Sequence, residues 1–211
     1  GTNDFHHSNL PPNNKDLQAT CNLLVSAWND PSVLVSFPLM GLIPYSKQSI
    51  SEEDIFAIKQ VMRSDFLTQG PKTGEFESEL ASFFGVEHAV VCSSGTAALH
   101  LAYAALGIGP GSIGIVPAIT FSATANALKY QDADIIFCDV EPDTGLIDVH
   151  SLERCLNEVS DKQKEQANLI APVSFAGSVA PLEECRDLAD KHGFSMIEDA
   201  AHSPGAWKTG S

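Results

Sequence analysis

Four short runs combine side chains able to bind or react. Ser93-Ser94-Gly95-Thr96 stands directly ahead of an alanine-rich stretch. Hydroxyls and a glycine at the first turn of a helix leave unpaired backbone N–H groups at its positive end. That arrangement can cradle a phosphate, and it can equally do no more than cap the helix. The spacing is neither GxGxxG nor GxxxxGK[ST], which argues against a dinucleotide or a triphosphate. Asp199 closes the apolar run Phe194, Met196, Ile197. An ionised carboxylate there is costly unless it meets a cation or several donors; a protonated heterocyclic nitrogen would satisfy it, and so would capping of the next turn. His202 can donate to a ligand or serve as a structural histidine. Phe121 can plug the core or stack on a flat ring. Taken jointly, the cradle, the aromatic platform and the carboxylate suit a phosphorylated aromatic heterocycle with a protonated nitrogen.

The surrounding pattern predicts what positions these residues. Ser51-Glu52-Glu53-Asp54 reads as a capping box leading into Ile55, Ile58, Val61 and Met62 at helical spacing. A second helix is expected over 75–84, with Phe76, Leu80, Phe83 and Phe84 on its apolar face and Gly85 as its stop. The chain then alternates: strands over 88–92, 113–116, 134–138, 168–173 and 194–197, and helices over 95–106, 121–130, 149–159 and 181–192. Short apolar strands separated by amphipathic helices imply an α/β domain with a mostly parallel sheet and helices on both faces. In such sheets ligands sit beyond the carboxyl ends of the strands. The four runs fall there: Ser93–Thr96 after the first strand, Thr120-Phe121 after the second, Ser174-Phe175-Ala176-Gly177 after the fourth, and Glu198-Asp199-Ala200-Ala201-His202 after the last.

Composition narrows the classes. Among 211 residues, 12 Lys and Arg face 27 Asp and Glu, a formal charge of −15, which excludes a nucleic-acid partner as first reading. At 44% hydrophobic and 18% charged, the chain can bury a core. The five cysteines, Cys21, Cys92, Cys138, Cys155 and Cys185, are odd in number and never form CxxC, so neither a disulfide framework nor a zinc site is expected; a reducing cytoplasm fits best. The longest apolar run, over 33–42, is broken by Pro38, and no membrane partner is expected. Asp139, Glu141 and Asp143 alternate as calcium ligands might, but Gly145 comes one place late and His150 stands twelfth, so a plain acidic turn is expected and no metal site. GxSxG and HExxH are both missing.

From Ile43 to Trp207 the chain resembles the DegT/DnrJ/EryC1/StrS family of nucleotide-sugar aminotransferases. The matching pieces, in the family's order, are IPYSKQSISEEDI, SDFLTQGPKTGEFE, SSGTAALHLAYAALGIGPG, VPAITFSATANAL, FCDVEPDTGLID, PVSFAG and IEDAAHSPGA. The resemblance implies an aspartate-aminotransferase-like large domain (fold type I) that uses pyridoxal 5′-phosphate. It also implies that Ser94, Gly95 and Thr96 bind the cofactor phosphate, that Phe121 stacks on the pyridine ring, and that Asp199 pairs with the ring nitrogen. His202 falls where members place Gln or His near the cofactor's 3′-oxygen, and Asp199 and His202 are the expected catalytic pair. Thr68 and Gln69, in SDFLTQGP, correspond to a loop near the sugar-nucleotide site. FLTQGP, TFSATAN and SFAG look most similar to members that aminate C4 of a UDP-linked 4-keto-6-deoxy-N-acetylhexosamine on the route to pseudaminic acid. Ser174 and Ser93 depart from a frequent His and Asn.

The implied reaction moves an amino group from an amino acid, usually glutamate, to a nucleotide-linked 4-keto-6-deoxy sugar, in a cytoplasmic homodimer. Residues 1–41 are expected to be an extension, and 42–211 the N-terminal part of the large domain. The chain begins with Gly1 and ends at Ser211, ahead of the SFxxxK-like segment that carries the family's Schiff-base lysine. Lys208 matches a turn residue and not that lysine. The expectation is therefore an N-terminal fragment, without the small domain and inactive alone. The competing readings are a non-catalytic truncated member that binds cofactor or partner, and a Rossmann dehydrogenase, which would need a glycine fingerprint where SSGTAAL stands.

Overall fold

A computed structural model describes residues 47–206. The chain divides between Arg63 and Ser64 into two compact units. In the first, helix α1 (Glu52–Val61) begins at the expected capping box: the Asp54 N–H donates to Ser51 Oγ at 3.2 Å, and the Ser51 N–H donates to Asp54 Oδ2 at 2.8 Å. The extension over residues 1–41 lies outside the described residues.

The second unit opens with α2 (Pro71–Phe84), which starts a turn earlier than the expected 75 because Pro71 sits at a helix N-terminus, where its missing N–H costs nothing. Gly85 ends it in the left-handed conformation at φ 66°, as a helix stop requires. Then follow α3 (Gly95–Ala105), β1 (Ile113–Pro117), α4 (Ala123–Lys129), β2 (Asp134–Cys138), α5 (Val149–Glu158), a single turn α6 (Asp161–Lys164), β3 (Leu169–Ile170), a 3-10 turn (Phe175–Gly177), α7 (Leu182–His192) and β4 (Ser195–Met196).

The four strands form one all-parallel sheet in the order β2-β1-β3-β4. Alternation along each strand feeds two cores. Val116, Leu169 and Ile135 face α3 and α4 through Leu99, Tyr103, Ala127 and Leu128. Ile113, Ile115, Ile170 and Ile136 face α5 and α7 through Leu152, Leu156, Cys185 and Ala189. At Gly114 the sheet admits α4 so closely that a Cβ would lie 2.2 Å from Leu128 Cδ1, so this position has no room for a side chain. Asn168, 1% exposed, stitches β3 to β1: its Oδ1 accepts the Ile113 N–H at 2.7 Å, and its Nδ2 donates to the Gln163 and Gln166 carbonyls at 2.8 and 3.0 Å.

One expected strand does not form. Residues 88–92 are irregular, Val90 is 80% exposed, and the Val91 N–H donates to the Glu77 side chain at 3.0 Å. The β propensity of HAVVC is real, but a strand exists only beside a neighbour, and neither edge of the sheet pairs with this segment. The strands expected over 168–173 and 194–197 are two residues each, and pairing between them resumes beyond as the isolated Val173–Asp199 bridge. Asp139, Glu141 and Asp143 lie in the turn after β2, closed by the Val140–Ile147 bridge, and no group of acidic, His or Cys side chains among the described residues could hold a metal ion. Among the described residues, no helix is long and apolar enough to cross a membrane. Cys92, Cys138, Cys155 and Cys185 are free thiols.

Candidate active site

The site is built at the carboxyl edge of the sheet. Because α3 packs on the sheet and then feeds parallel strand β1, it runs against the strand direction, which brings its N-terminus to that edge. Ser94 is its N-cap, with Oγ accepting the Ala97 N–H at 3.2 Å. Ser94 and Gly95 are exposed and Thr96 half-buried, and a Cβ built on Gly95 would meet nothing within 4 Å. The Ser94 hydroxyl therefore caps the helix, as the plainer reading of the sequence had it. The turn still offers its open face and first N–H groups to an anion.

Asp199 follows β4 and is 8% exposed. An isolated parallel bridge to Val173 places it: the Asp199 N–H donates to the Pro172 carbonyl at 2.9 Å, and the Ser174 N–H donates to the Asp199 carbonyl at 3.1 Å. Thr124 Oγ1 donates to carboxylate Oδ2 at 2.7 Å, and the Ala201 N–H donates to Oδ1 at 3.2 Å. Both donors are neutral, and the ion pairs formed among the described residues do not include Asp199. A buried carboxylate held by two neutral donors retains lone pairs for a cationic N–H. The charge of Asp199 adds to burial in raising the Tyr103 hydroxyl well above the usual phenol range, burial being the larger cause. Tyr103 thus stays a neutral donor, and its O–H reaches the Thr124 carbonyl at 3.3 Å.

Phe121 lies in the loop after β1 with its ring 69% exposed, so it does not plug the core. His202 stands in the turn after Asp199. Its Nδ1 accepts the Ala176 N–H at 3.4 Å, which assigns the proton of the neutral ring to Nε2. The His202 ring lies 5.7 Å from that of Phe175. Ala176 meets His202 from a left-handed backbone, φ 53°, a conformation costing a non-glycine residue roughly 1–2 kcal/mol. Thr68 and Gln69 sit in the exposed bend before α2, Gln69 at φ 53°. Neither hydrogen-bonds to the Asp199 cluster.

One feature escaped the sequence reading. Thr124, fully buried, is the side chain that holds Asp199, and the i, i+4 spacing of Thr120 and Thr124 was the available signal. Ser174 is also fully buried; it donates to Glu198 and accepts the Ala180 N–H at 3.1 Å, bracing the loop around the site.

The α/β fold with its parallel sheet is that of the fold type I enzymes, and the structural neighbours are pyridoxal-phosphate-dependent aminotransferases of that type. Residues 48–211 match the DegT/DnrJ/EryC1/StrS aminotransferase family, and the chain belongs to it. It is 37% identical over 163 residues to the UDP-4-amino-4-deoxy-L-arabinose–oxoglutarate aminotransferase of Shewanella sediminis, covering 77% of this chain and 40% of that protein. Among solved structures, PseC of Helicobacter pylori, an aminotransferase involved in pseudaminic acid biosynthesis, superimposes with TM-score 0.70 at 31% identity, over 79% of this chain and 43% of that one. A sugar aminotransferase of Streptococcus pneumoniae in its pyridoxal-phosphate form gives 0.69 at 30% identity, over 77% of this chain and 44% of that one. The chain thus spans about 40% of the length of the curated relative it matches.

Proposed function

We propose that this chain supplies the cofactor-binding half-site of a pyridoxal-phosphate-dependent aminotransferase that moves an amino group from glutamate to C4 of a UDP-linked 4-keto-6-deoxy sugar. The observation that carries the reading is the buried Asp199 carboxylate, held by Thr124 and Ala201 and matched with no cation among the described residues. The donor set fits the cofactor: an anion for its ring nitrogen, an open helix N-terminus for its phosphate at Ser94, Gly95 and Thr96, and an exposed ring at Phe121 for its flat face. When bound, the group supplies an electron sink for the pair released when the C–H bond of the amino-bearing carbon breaks.

The chain's own residues would hold the group. Asp199 would keep the ring nitrogen protonated, Phe121 would stack on the ring, and the N–H groups at Gly95 and Thr96 would anchor the phosphate. His202, with its proton on Nε2, is a hydrogen-bond donor to the cofactor's ring oxygen. Thr68 and Gln69 line the approach of the sugar nucleotide. The similarity to the Shewanella enzyme supports a UDP-linked sugar aminated at C4, and that to PseC supports a pseudaminic acid precursor. The exposed Phe76 and Phe83 of α2 support assembly as a homodimer, and the exposed Cys92 thiol is suited to the reducing cytoplasm.

Equilibrium dialysis of pyridoxal 5′-phosphate against the whole protein tests the reading. Stoichiometric micromolar binding is expected, weakened in the double variant Gly95→Ala, Thr96→Val. Binding of the free cofactor no tighter than to serum albumin would contradict it.

A further inference from the structure

We infer that Thr124, backed by Thr120, is a positioning residue for Asp199. The inference rests on the cofactor reading above and deepens it. Thr124 is fully buried, and its Oγ1 has three neighbours: Asp199 Oδ2 at 2.7 Å, Thr120 Oγ1 at 2.7 Å, and the Phe121 carbonyl at 3.2 Å. A hydroxyl has one proton to donate and two lone pairs. The carboxylate is nearer than the Phe121 carbonyl and is the charged acceptor, so it takes the Thr124 proton. The contact with Thr120 is then directional: the Thr120 hydroxyl, whose other acceptor is the Phe121 carbonyl at 3.2 Å, donates to the nearer Thr124 oxygen at 2.7 Å. The result is an ordered chain, Thr120 to Thr124 to Asp199, in which each link polarises the next.

The chain matters because of where it sits. Thr120 and Thr124 stand on either side of Phe121, the ring assigned to stack on the cofactor, and the Thr124 hydroxyl reaches across to the strand-end carboxylate from a different element. The platform and the counter-charge are thereby fixed to each other. Tyr103 reinforces the anchor through its bond to the Thr124 carbonyl, and it cannot compete for the carboxylate itself. Among the described residues, Oδ1 receives only the longer 3.2 Å bond from the Ala201 N–H, so removal of the Thr124 hydroxyl leaves the carboxylate rotation set by a single weak contact there.

The test uses the whole protein and pyridoxal 5′-phosphate, with the dissociation constant and the visible circular dichroism per bound cofactor as readouts. The second reports how firmly the ring is held in the chiral site, which mere loss of stability does not alter. Thr124→Val keeps the shape and removes the hydroxyl; cofactor affinity is expected to fall by on the order of tenfold, with a reduced dichroic amplitude. Thr124→Ser should restore both, and Asp199→Asn should reproduce the Thr124→Val signature. Thr120→Val, at a half-buried position, should shift both readouts in the same direction by a smaller factor, and it carries the test if Thr124→Val does not fold. Wild-type affinity and amplitude in Thr124→Val, or in Thr120→Val should the first variant be lost, with Asp199→Asn impaired, would overturn the positioning role alone. A wild-type protein that binds no pyridoxal phosphate would overturn the cofactor reading and this inference with it.

Discussion

Asp199 shows how a single side chain can be expensive and purposeful at once. Its carboxylate is 8% exposed, and its only donors among the described residues are one threonine hydroxyl and one backbone N–H. Desolvation of an anion costs several kcal/mol, and two neutral hydrogen bonds offset part of that. In the whole protein, Asp199→Ala should therefore lower kcat by on the order of 100-fold at saturating cofactor, with a much smaller change in KM for the sugar nucleotide. Steady-state kinetics reads the split, and unchanged turnover would remove Asp199 from the role assigned to it. Gly95 offers a cleaner probe of the phosphate turn. An added Cβ meets nothing within 4 Å, so Gly95→Ala should leave the melting temperature unchanged, and any loss of cofactor affinity then reports on the ligand and not on the fold.

At the scale of elements, stability is concentrated where strands and helices close on one another. Gly114→Ala would drive a methyl into the fully buried Leu128, and overpacking of this kind costs about 1–3 kcal/mol. Asn168→Ala would orphan the buried Ile113 N–H and cost about 1–3 kcal/mol. Urea denaturation of each variant measures both losses, and midpoints equal to wild type would show that β1 tolerates what the geometry forbids. Most of these elements were legible beforehand because their signals are local. The capping box at Ser51, the stop at Gly85 and the run IGIV need no distant partner to be recognised. The segment HAVVC misled for the opposite reason: its pattern is that of a strand, but pairing is decided by a neighbour elsewhere in the chain. The helix expected from 75 begins instead at Pro71, since a proline at N1 opens a helix without loss. At the site, Asp199 was visible as a charge closing an apolar run, Phe121 as an aromatic after a strand, and Ser94 as a hydroxyl opening an alanine-rich helix. Thr124 was not, because a threonine on a short alanine-rich helix looks ordinary until the carboxylate from the far end of the chain arrives beside it.

For the molecule as a whole, the parallel sheet works as a rack whose carboxyl edge carries Phe121 in the loop after β1 and Asp199 after β4. Its interior protects the thiols unevenly. Burial pushes Cys138 up to about 12 and Cys185 up to about 11, whereas Cys92 is exposed. Since the thiolate is the reactive form, iodoacetamide at neutral pH should label Cys92 far faster than Cys138 or Cys185, as peptide mass mapping would show; equal labelling would mean that the two cores open readily. The function proposed for this rack is amino transfer to a sugar nucleotide, and one measurement addresses it directly. The whole protein, loaded with pyridoxal 5′-phosphate, is incubated with [15N]glutamate and a UDP-linked 4-keto-6-deoxy-N-acetylhexosamine, and the sugar nucleotide is analysed by mass spectrometry and NMR. The account predicts 15N at C4 of the sugar with wild-type protein and little or none with Asp199→Ala. Cofactor-saturated wild-type protein that transfers no label to this or any other nucleotide-linked keto sugar would contradict it.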